Sequence, residues 1–242
     1  MWSDLQIKQH IEAAKLLTEI IVSSFKYLKK GISEYELQQF ILKKFKELNL
    51  KTDKDPPIVA FNENSSHPHY FPSKESKILE NNSLILIDIW ARLNQRKAPF
   101  ADITWIAYYG EKITNEIQKT FNTVIKARDA CLNYIDNELK KDKIPLGNEI
   151  DNVAQTIITS EGFKQNLKHK TGHCIGFNSP HGNRKNLDPK NNKPLILSYG
   201  YTIEPGIYFD NKFGIRSETN FYINKYKKLV ISTELQREII KI

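Results

Sequence analysis

The chain has 242 residues, of which 40% are hydrophobic and 26% charged, and these proportions exclude an intrinsically disordered protein. No apolar run approaches the roughly 20 residues of a membrane span, and the polar start predicts no secretory signal. Two cysteines provide no disulfide framework, which predicts a cytoplasmic protein. The net charge of +8 comes from lysines spread along the chain, so we expect neither a nucleic-acid nor a membrane partner.

Apolar residues recur at helical spacing in four segments, and these predict four helices. Ser33 and Glu36 form a capping box at the start of the second segment, and Gly162 provides a stop after the fourth. The predicted helices cover residues 3–29, 33–48, 114–140 and 148–161. Between the helical pairs, residues 56–72 predict a strand and an irregular loop, and residues 83–109 predict a β-hairpin.

Four acidic residues form two pairs with the same internal spacing. Asp88 and Asp102 are 14 positions apart, as are Glu204 and Glu218, and adding 116 to the first pair gives the second. All four lie in apolar stretches, and each pair is centred on turn-like sequence near residues 95 and 211. In a hairpin, residues equidistant from the turn face each other, so we expect each pair to be directly opposed. Like charges held this close in a half-buried sheet require a cation between them.

The same offset of 116 relates positions in the helices. It pairs Gly31 with Gly147, and it also pairs apolar positions 37, 41 and 42 with 153, 157 and 158. We therefore expect an α+β fold with internal pseudo-two-fold symmetry, in which each half contributes helices and a carboxylate-bearing hairpin. The halves would cover residues 1–110 and 111–242 of a single catalytic domain, without a separate N-terminal domain.

His173 in the segment TGHCIGF is the further candidate ligand, because glycines flank it and imidazole is a common metal ligand. Four carboxylates balance the charge of two divalent ions, and such ions activate water in two-metal hydrolases. The oxygen-rich set favours Mn²⁺, with Co²⁺, Zn²⁺ or Fe²⁺ as alternatives. His10 and His169, by contrast, are interpreted as structural or surface histidines.

The segments LILIDIWA, FADIT, TGHCIGF, TIEPGIY and GIRSE resemble the metallopeptidases of the pita-bread (creatinase/aminopeptidase) fold. This superfamily includes methionine aminopeptidase, aminopeptidase P and prolidase. The resemblance implies five metal ligands: Asp88, Asp102, His173, Glu204 and Glu218. It further implies that Asp102 and Glu218 bridge two ions, and that Glu204 also shuttles a proton.

The resemblance also implies two catalytic histidines that are not ligands. His69 in HPHYFP matches a histidine followed by tyrosine, with His67 as the alternative, and His181 matches the histidine after the TGHCIGF segment. Arg216 in GIRSE is expected to anchor a substrate carboxylate or to support Glu218. Tyr70, Phe71 and Tyr208 are candidates for an apolar wall around a substrate proline.

The EPGIY and HY segments resemble the proline-directed branch and predict hydrolysis of peptides at Xaa-Pro bonds. The short chain and its expected start at the catalytic domain resemble methionine aminopeptidases, which keeps that activity as an alternative. A catalytically inactive binding module of the same fold and a metal-free relative acting on a small molecule, as creatinase does, are further alternatives. A homodimer would allow a second chain to complete the substrate pocket.

Overall fold

A computed structural model describes residues 1–183 and 186–242. The four predicted helices are present, and their boundaries follow the local capping signals. Ser3 and Ser33 each form a capping box with the residue three positions later, and Thr114 caps the third helix. Gly162 has a φ of 90° just beyond the fourth helix, a conformation that glycine adopts without strain. The helices are α1 Asp4–Tyr27, α2 Glu34–Glu47, α3 Asn115–Lys140 and α4 Gly147–Ser160.

Within residues 1–183 and 186–242, ten strands accompany these helices, together with 3-10 helices at Asn62–Ser66 and Lys164–Asn166. The strands of the first half and the C-terminal strand form one sheet in the order β1-β3-β4-β10, with β2 also paired to β3. The strands are β1 Leu50–Lys51, β2 Ile58–Phe61, β3 Ser83–Leu93, β4 Ala101–Tyr109, β5 Gly200–Ile203, β6 Gly206–Phe209, β7 Phe213–Arg216, β8 Thr219–Ile223, β9 Leu229–Ile231 and β10 Ile240–Lys241.

Strand β3 is buried on both faces, which explains why its sequence is almost continuously apolar. Ile85, Ile87 and Ile89 pack in one hydrophobic cluster with α1 and α2. Leu84, Leu86 and Trp90 pack on the opposite face, in the cluster that contains α3 and α4. Since side chains alternate along a strand, Asp88 lies on the face that is directed towards the second half of the chain.

The predicted register of the first hairpin is wrong by two residues. Asp88 is opposite Thr104, and Asp102 is opposite Trp90, so the two aspartates are diagonal neighbours on the same face. The connection over residues 94–100 contains Lys97 at a φ of 57° and is not symmetric about position 95. Diagonal partners are farther apart than directly opposed ones, so the repulsion between these acids is weaker than the sequence implied.

The predicted register of the second hairpin is confirmed. Ile203 pairs with Thr219 in the β5–β8 ladder, and Gly206 pairs with Arg216 in the β6–β7 ladder. In both pairs the residue numbers sum to 422, and the numbers of Glu204 and Glu218 have the same sum. This register therefore sets Glu204 opposite Glu218. The two ladders are separated at this point, because Glu204, Pro205, Ser217 and Glu218 lie outside the strands.

The internal repeat is present, but its offset is not constant. The buried positions of α2 correspond to those of α4 at an offset of 113, as in Leu37 with Ile150 and Ile41 with Ala154, so the helix pairing predicted at 116 is wrong. An isolated bridge joins position 33 to 78 in the first half and position 146 to 194 in the second. The second half has three more residues between its two bridge partners than the first half has. The offset is therefore 113 before this segment and 116 after it.

Among the helices that the structure describes, none combines the length and the hydropathy that a transmembrane segment requires.

Candidate active site

A cavity of about 740 Å³ lies where the two acid-bearing hairpins meet. Thr104 on β4 connects them, because its main-chain oxygen accepts a hydrogen bond from Glu218 N and its hydroxyl donates to Glu218 Oε2 at 2.9 Å. Asn220 fastens the same two elements, since its amide group bonds both the main-chain N and O of Asp102 at 2.8 and 2.7 Å. All five predicted metal ligands line this cavity: Asp88, Asp102, His173, Glu204 and Glu218.

Three of these residues form a tight, buried cluster. One ligand atom each of Asp102, His173 and Glu218 lies within 4.8 Å of the others. His173 Nδ1 donates to the Cys174 carbonyl oxygen at 3.0 Å, and this bond orients the ring with Nε2 directed at the acids. That Nε2 lies 3.6 Å from Asp102 Oδ2 and 3.4 Å from Glu204 Oε1. The imidazole therefore presents Nε2 to the same space as the carboxylates.

Asp88 differs from the other acids because it already has a cationic partner. Arg216 donates to Asp88 Oδ2, to Thr104 Oγ1 at 3.1 Å and to the Tyr208 hydroxyl at 2.7 Å. Arg216 is almost fully buried, so this charge-assisted contact is protected from water. Arg216 thus supports a predicted ligand from behind while also lining the cavity.

The four carboxyl groups differ in pKa. Burial, followed by repulsion from the neighbouring acids, raises the pKa of Asp102 and of Glu218 well above their usual values. Burial would also raise the pKa of Glu204, but His173 and His169 outweigh it and lower that pKa overall. The pKa of Asp88 is raised by burial, and the Arg216 charge offsets only part of this effect. Ionising Asp102 and Glu218 together therefore requires additional positive charge.

Buried carboxylate oxygens without hydrogen bonds are a second, independent indication that these residues fit a metal site. Asp88 Oδ1, Asp102 Oδ1 and Glu218 Oε1 are buried and have no hydrogen-bond partner within the part of the chain that the structure describes. A buried carboxylate oxygen without a partner is costly, and a coordinated cation removes that cost. Carboxylate oxygens with one imidazole are suitable ligands for Mn²⁺, Zn²⁺ and related divalent ions.

Both predicted non-ligand histidines line the cavity. His181 stacks at a tilt on His173, with 4.1 Å between the ring centroids. The His181 side chain is exposed at the cavity. Nearby protein atoms nevertheless remove part of its hydration, and His173 repels its protonated form, so the pKa of His181 is lowered to about 4. His69 is also exposed and lines the cavity. His67 does not appear among the described lining residues, which favours the choice of His69 over His67.

The predicted aromatic wall is only partly present. Phe71 lines the cavity, but Tyr70 and Tyr208 do not appear among the described lining residues. Tyr70 donates instead to the buried Glu34, and Tyr208 lies behind Arg216. Tyr208 therefore supports Arg216 from outside the described cavity lining. Further apolar lining comes from four residues that the sequence did not single out: Ile58, Pro68, Trp90 and Pro180.

His169, which the sequence interpretation treated as structural or surface, lies at the cavity. It lines the cavity, and its Nε2 accepts a hydrogen bond from the Tyr208 hydroxyl at 2.7 Å, while Nδ1 donates to the Lys170 carbonyl. In the sequence, the signal that could have placed His169 at the cavity is its position four residues before His173. His10 is structural, as expected, because it is fully buried and bonded to Phe100 O and Ser232. The sequence also missed the charged wall formed by residues 51–55.

A family model described as metallopeptidase family M24 matches residues 8–225, nearly the whole chain. The chain belongs to metallopeptidase family M24. The predicted pita-bread fold is confirmed by solved M24-like structures. A prolidase from Thermococcus sibiricus matches with a TM-score of 0.89 and 26% identity over 100% of this chain and 62% of that chain. An X-Pro aminopeptidase from Thermotoga maritima matches with a TM-score of 0.85 and 25% identity over 100% and 64%.

A Mycoplasma pneumoniae relative, named provisionally as an Xaa-Pro aminopeptidase, is 27% identical over 227 residues. The match covers 93% of this M24 chain and 60% of the relative. The chain thus spans about 60% of the length of the curated relatives it matches.

Proposed function

We propose that this M24 chain is a dinuclear metal-dependent aminopeptidase that hydrolyses Xaa-Pro bonds of short peptides. One observation carries the proposal: five potential ligands and two non-ligand histidines from both halves of the chain line one cavity of about 740 Å³. This volume suits a small peptide. The provisional name of the Mycoplasma relative and the titles of the T. sibiricus and T. maritima structures support the proline-directed branch.

The five carboxylate and imidazole ligands are the residues that would hold the divalent ions. Bound ions of this kind supply Lewis acidity, which lowers the pKa of a water molecule and polarises a peptide carbonyl group. The number of two ions rests on the family resemblance: four carboxylates alone would balance two dications, and Arg216 adds one further positive charge at Asp88.

Glu204 is the candidate proton carrier in this mechanism. Its lowered pKa keeps it ionised at neutral pH, and its side chain borders the cavity. A carboxylate in this state accepts a proton from the attacking water and then donates it to the nitrogen of the departing residue. In an Xaa-Pro substrate that nitrogen becomes the secondary amine of proline.

His181 and His69 are the candidate hydrogen-bond partners of the reacting peptide. The pKa of His181, at about 4, keeps its imidazole neutral at pH 7, so it retains one N–H donor. A neutral donor at this place stabilises the oxyanion that develops during attack without repelling the metal ions. His69 borders the same cavity from the segment that follows β2.

The preference for proline rests on the chemistry of the scissile bond and on the apolar part of the cavity wall. An Xaa-Pro bond has no N–H, so the site requires no acceptor for that hydrogen. Pro68, Phe71 and Pro180 supply apolar surface near the histidines, and they can enclose a pyrrolidine ring. This wall replaces the one predicted from Tyr70, Phe71 and Tyr208.

A panel of Gly-Pro, Ala-Pro, Ala-Pro-Ala and Met-Ala-Ser, assayed with Mn²⁺ and with Co²⁺, tests this proposal. We expect hydrolysis of the proline peptides, and we expect Asp102→Asn to abolish it, because this near-isosteric change removes a ligand charge. Release of methionine from Met-Ala-Ser with the proline peptides intact would identify the methionine aminopeptidase activity instead. Bound metal without hydrolysis of any peptide would indicate an inactive binding module.

A further inference from the structure

Glu34, the first residue of α2, is a fully buried acid that the proposed mechanism does not use. Its Oε1 accepts from Phe61 N at 2.6 Å and from Asn64 Nδ2 at 3.0 Å. Its Oε2 accepts from the Tyr70 hydroxyl at 2.7 Å and from Lys77 N at 3.1 Å. All four donors belong to residues 61–77, which we call the His69 segment. One carboxylate thus fastens both ends and the middle of this segment.

The bonding of Glu34 is unusual for a buried acid because no Lys or Arg forms an ion pair with it among the described residues. Its position at the start of a helix provides some favourable potential, and the remaining compensation comes from the His69 segment. Burial raises the pKa of Glu34, and the bonds from Tyr70 and Phe61 offset part of this effect. Since burial of a polar group without partners is costly, the fold keeps Glu34 inside only while the segment is in place.

Within the segment, His69 lies between two fixed points. On one side, Ser65 Oγ accepts from Gly214 N at 2.8 Å, and Ser66 O accepts from Lys168 Nζ at 2.8 Å. On the other side, Tyr70 is held by Glu34. The His69 imidazole itself is exposed and makes no hydrogen bond in the part of the chain described. Its position at the cavity therefore depends on the two neighbouring attachments.

We propose that Glu34, acting through Tyr70, is the positioning residue that fixes His69 at the cavity. The inference rests on the proposed function, since it assigns a purpose to the placement of His69. Neither Glu34 nor Tyr70 lines the cavity among the described residues, so both act through the segment and not on the substrate.

The second half of the chain contains a related arrangement. Asp151 on α4 is buried, and its Oδ1 accepts from Thr171 N at 2.9 Å. Thr171 precedes His173 by two positions, and α4 is the counterpart of α2 in the internal repeat. In each half, the second helix thus contributes a buried acid that holds a segment carrying an active-site histidine. The two acids do not occupy equivalent positions, since the offset of 113 pairs Glu34 with Gly147 and Asp151 with Gln38, so the halves share this arrangement without repeating the same residue.

Tyr70→Phe is the test variant, because it removes a single hydroxyl group and leaves the ring in place. Tyr109→Phe is the matched control, since the Tyr109 hydroxyl accepts from Lys30 N and neither residue is among the described cavity lining. Hydrogen exchange of the apoprotein should show faster exchange within residues 61–77 in Tyr70→Phe but not in Tyr109→Phe. Unchanged exchange in that segment would overturn the inference, whether or not the protein is an active peptidase. Glu34→Gln, which keeps the volume but loses the charge, should give the same localised change.

A double-mutant cycle with His69→Ala then tests the catalytic consequence. With Ala-Pro and saturating Mn²⁺, Tyr70→Phe should lower kcat by about 10- to 100-fold, since small misplacements of a catalytic group cost rates of this size. In the His69→Ala background, Tyr70→Phe should change kcat by less than about twofold, because its effect acts through His69. If the two residues acted independently, their effects on the activation free energy would add. Equal losses in both backgrounds, or an unchanged kcat after His69→Ala alone, would overturn the positioning role. The amount of bound metal is measured in each variant, so that a loss of kcat caused by a lost metal ion is recognised.

Discussion

His10 links helix α1 to Phe100, the residue before the strand that carries Asp102, and its burial predicts a measurable pH dependence of stability. The imidazole is fully buried, with Nδ1 2.7 Å from Phe100 O and Nε2 2.7 Å from Ser232 Oγ. A carbonyl oxygen only accepts, so Nδ1 carries the proton and Nε2 accepts from the Ser232 hydroxyl. Burial lowers the pKa of His10 from 6.5 to about 4, although the bond to Phe100 O opposes this effect. The folded protein therefore holds His10 neutral.

The magnitude follows from the two pKa values. Above pH 6.5 neither the folded nor the unfolded state protonates His10, and its contribution to stability is complete. Between pH 6.5 and about 4 the unfolded chain binds a proton at this residue and the folded chain does not, so the free energy of unfolding decreases as the pH falls. At about 1.4 kcal/mol per pKa unit, the full loss is about 3 kcal/mol.

Urea unfolding of the wild type and of His10→Gln at pH 7.0 and pH 4.5 measures this contribution. Glutamine can bond both Phe100 O and Ser232 but does not titrate. We expect the wild type to lose about 2 to 3 kcal/mol more than the variant between these pH values. His67→Gln, which removes an exposed histidine, should follow the wild type. Equal losses in the wild type and His10→Gln would refute the assignment of a neutral, buried His10.

Three further predictions concern the cavity. Asp102→Asn should reduce the metal bound per chain, measured after loading with Mn²⁺, because it removes one of the two acids that most require a cation. His181→Ala should lower kcat by about 100-fold while the metal content stays unchanged, and loss of metal would show that His181 is a ligand. Arg216→Lys should weaken metal binding and lower kcat, since an ammonium group cannot contact Asp88, Thr104 and Tyr208 in the geometry of the guanidinium. A metal titration checks this variant, and wild-type affinity would contradict the supporting role of Arg216.

The helices were predictable because the signals that define them are local. The reciprocal bonds between Ser33 and Glu36 involve residues three positions apart, and the same spacing is visible in the sequence. In α4 the corresponding bond is one-sided, because Leu146 N donates to Glu149 but leucine offers no side-chain acceptor. The predicted start at residue 148 was therefore one residue late. Local chemistry set the boundaries of the helices almost completely.

The register of the first hairpin and the offset of the helices were not predictable in this way. Both depend on the connections, and residues 94–100 adopt a path that includes a left-handed Lys97 and a main-chain bond from Phe100 to Gly176 O. That partner lies 76 positions away, so no local pattern reveals it. The place of His169 at the cavity was missed for a related reason. Its purpose becomes visible only when Tyr208 and Arg216, from the following hairpin, are placed beside it.

The candidate site also shows an asymmetry that the equal spacing of the acids concealed. One acid of each pair has internal compensation, since Asp88 contacts Arg216, and Glu204 is surrounded by His173, His169 and His181. The pKa of Asp88 is nevertheless raised, whereas the pKa values of Asp102 and Glu218 are raised well above their usual values, and all three acids keep a buried oxygen without a hydrogen bond among the described residues. The demand for positive charge is therefore concentrated at the pair that the family resemblance assigned to bridging positions. Arg216 and the histidines thus offset part of the negative charge at Asp88 and Glu204, and Asp102 and Glu218 are the acids that most require a further cation.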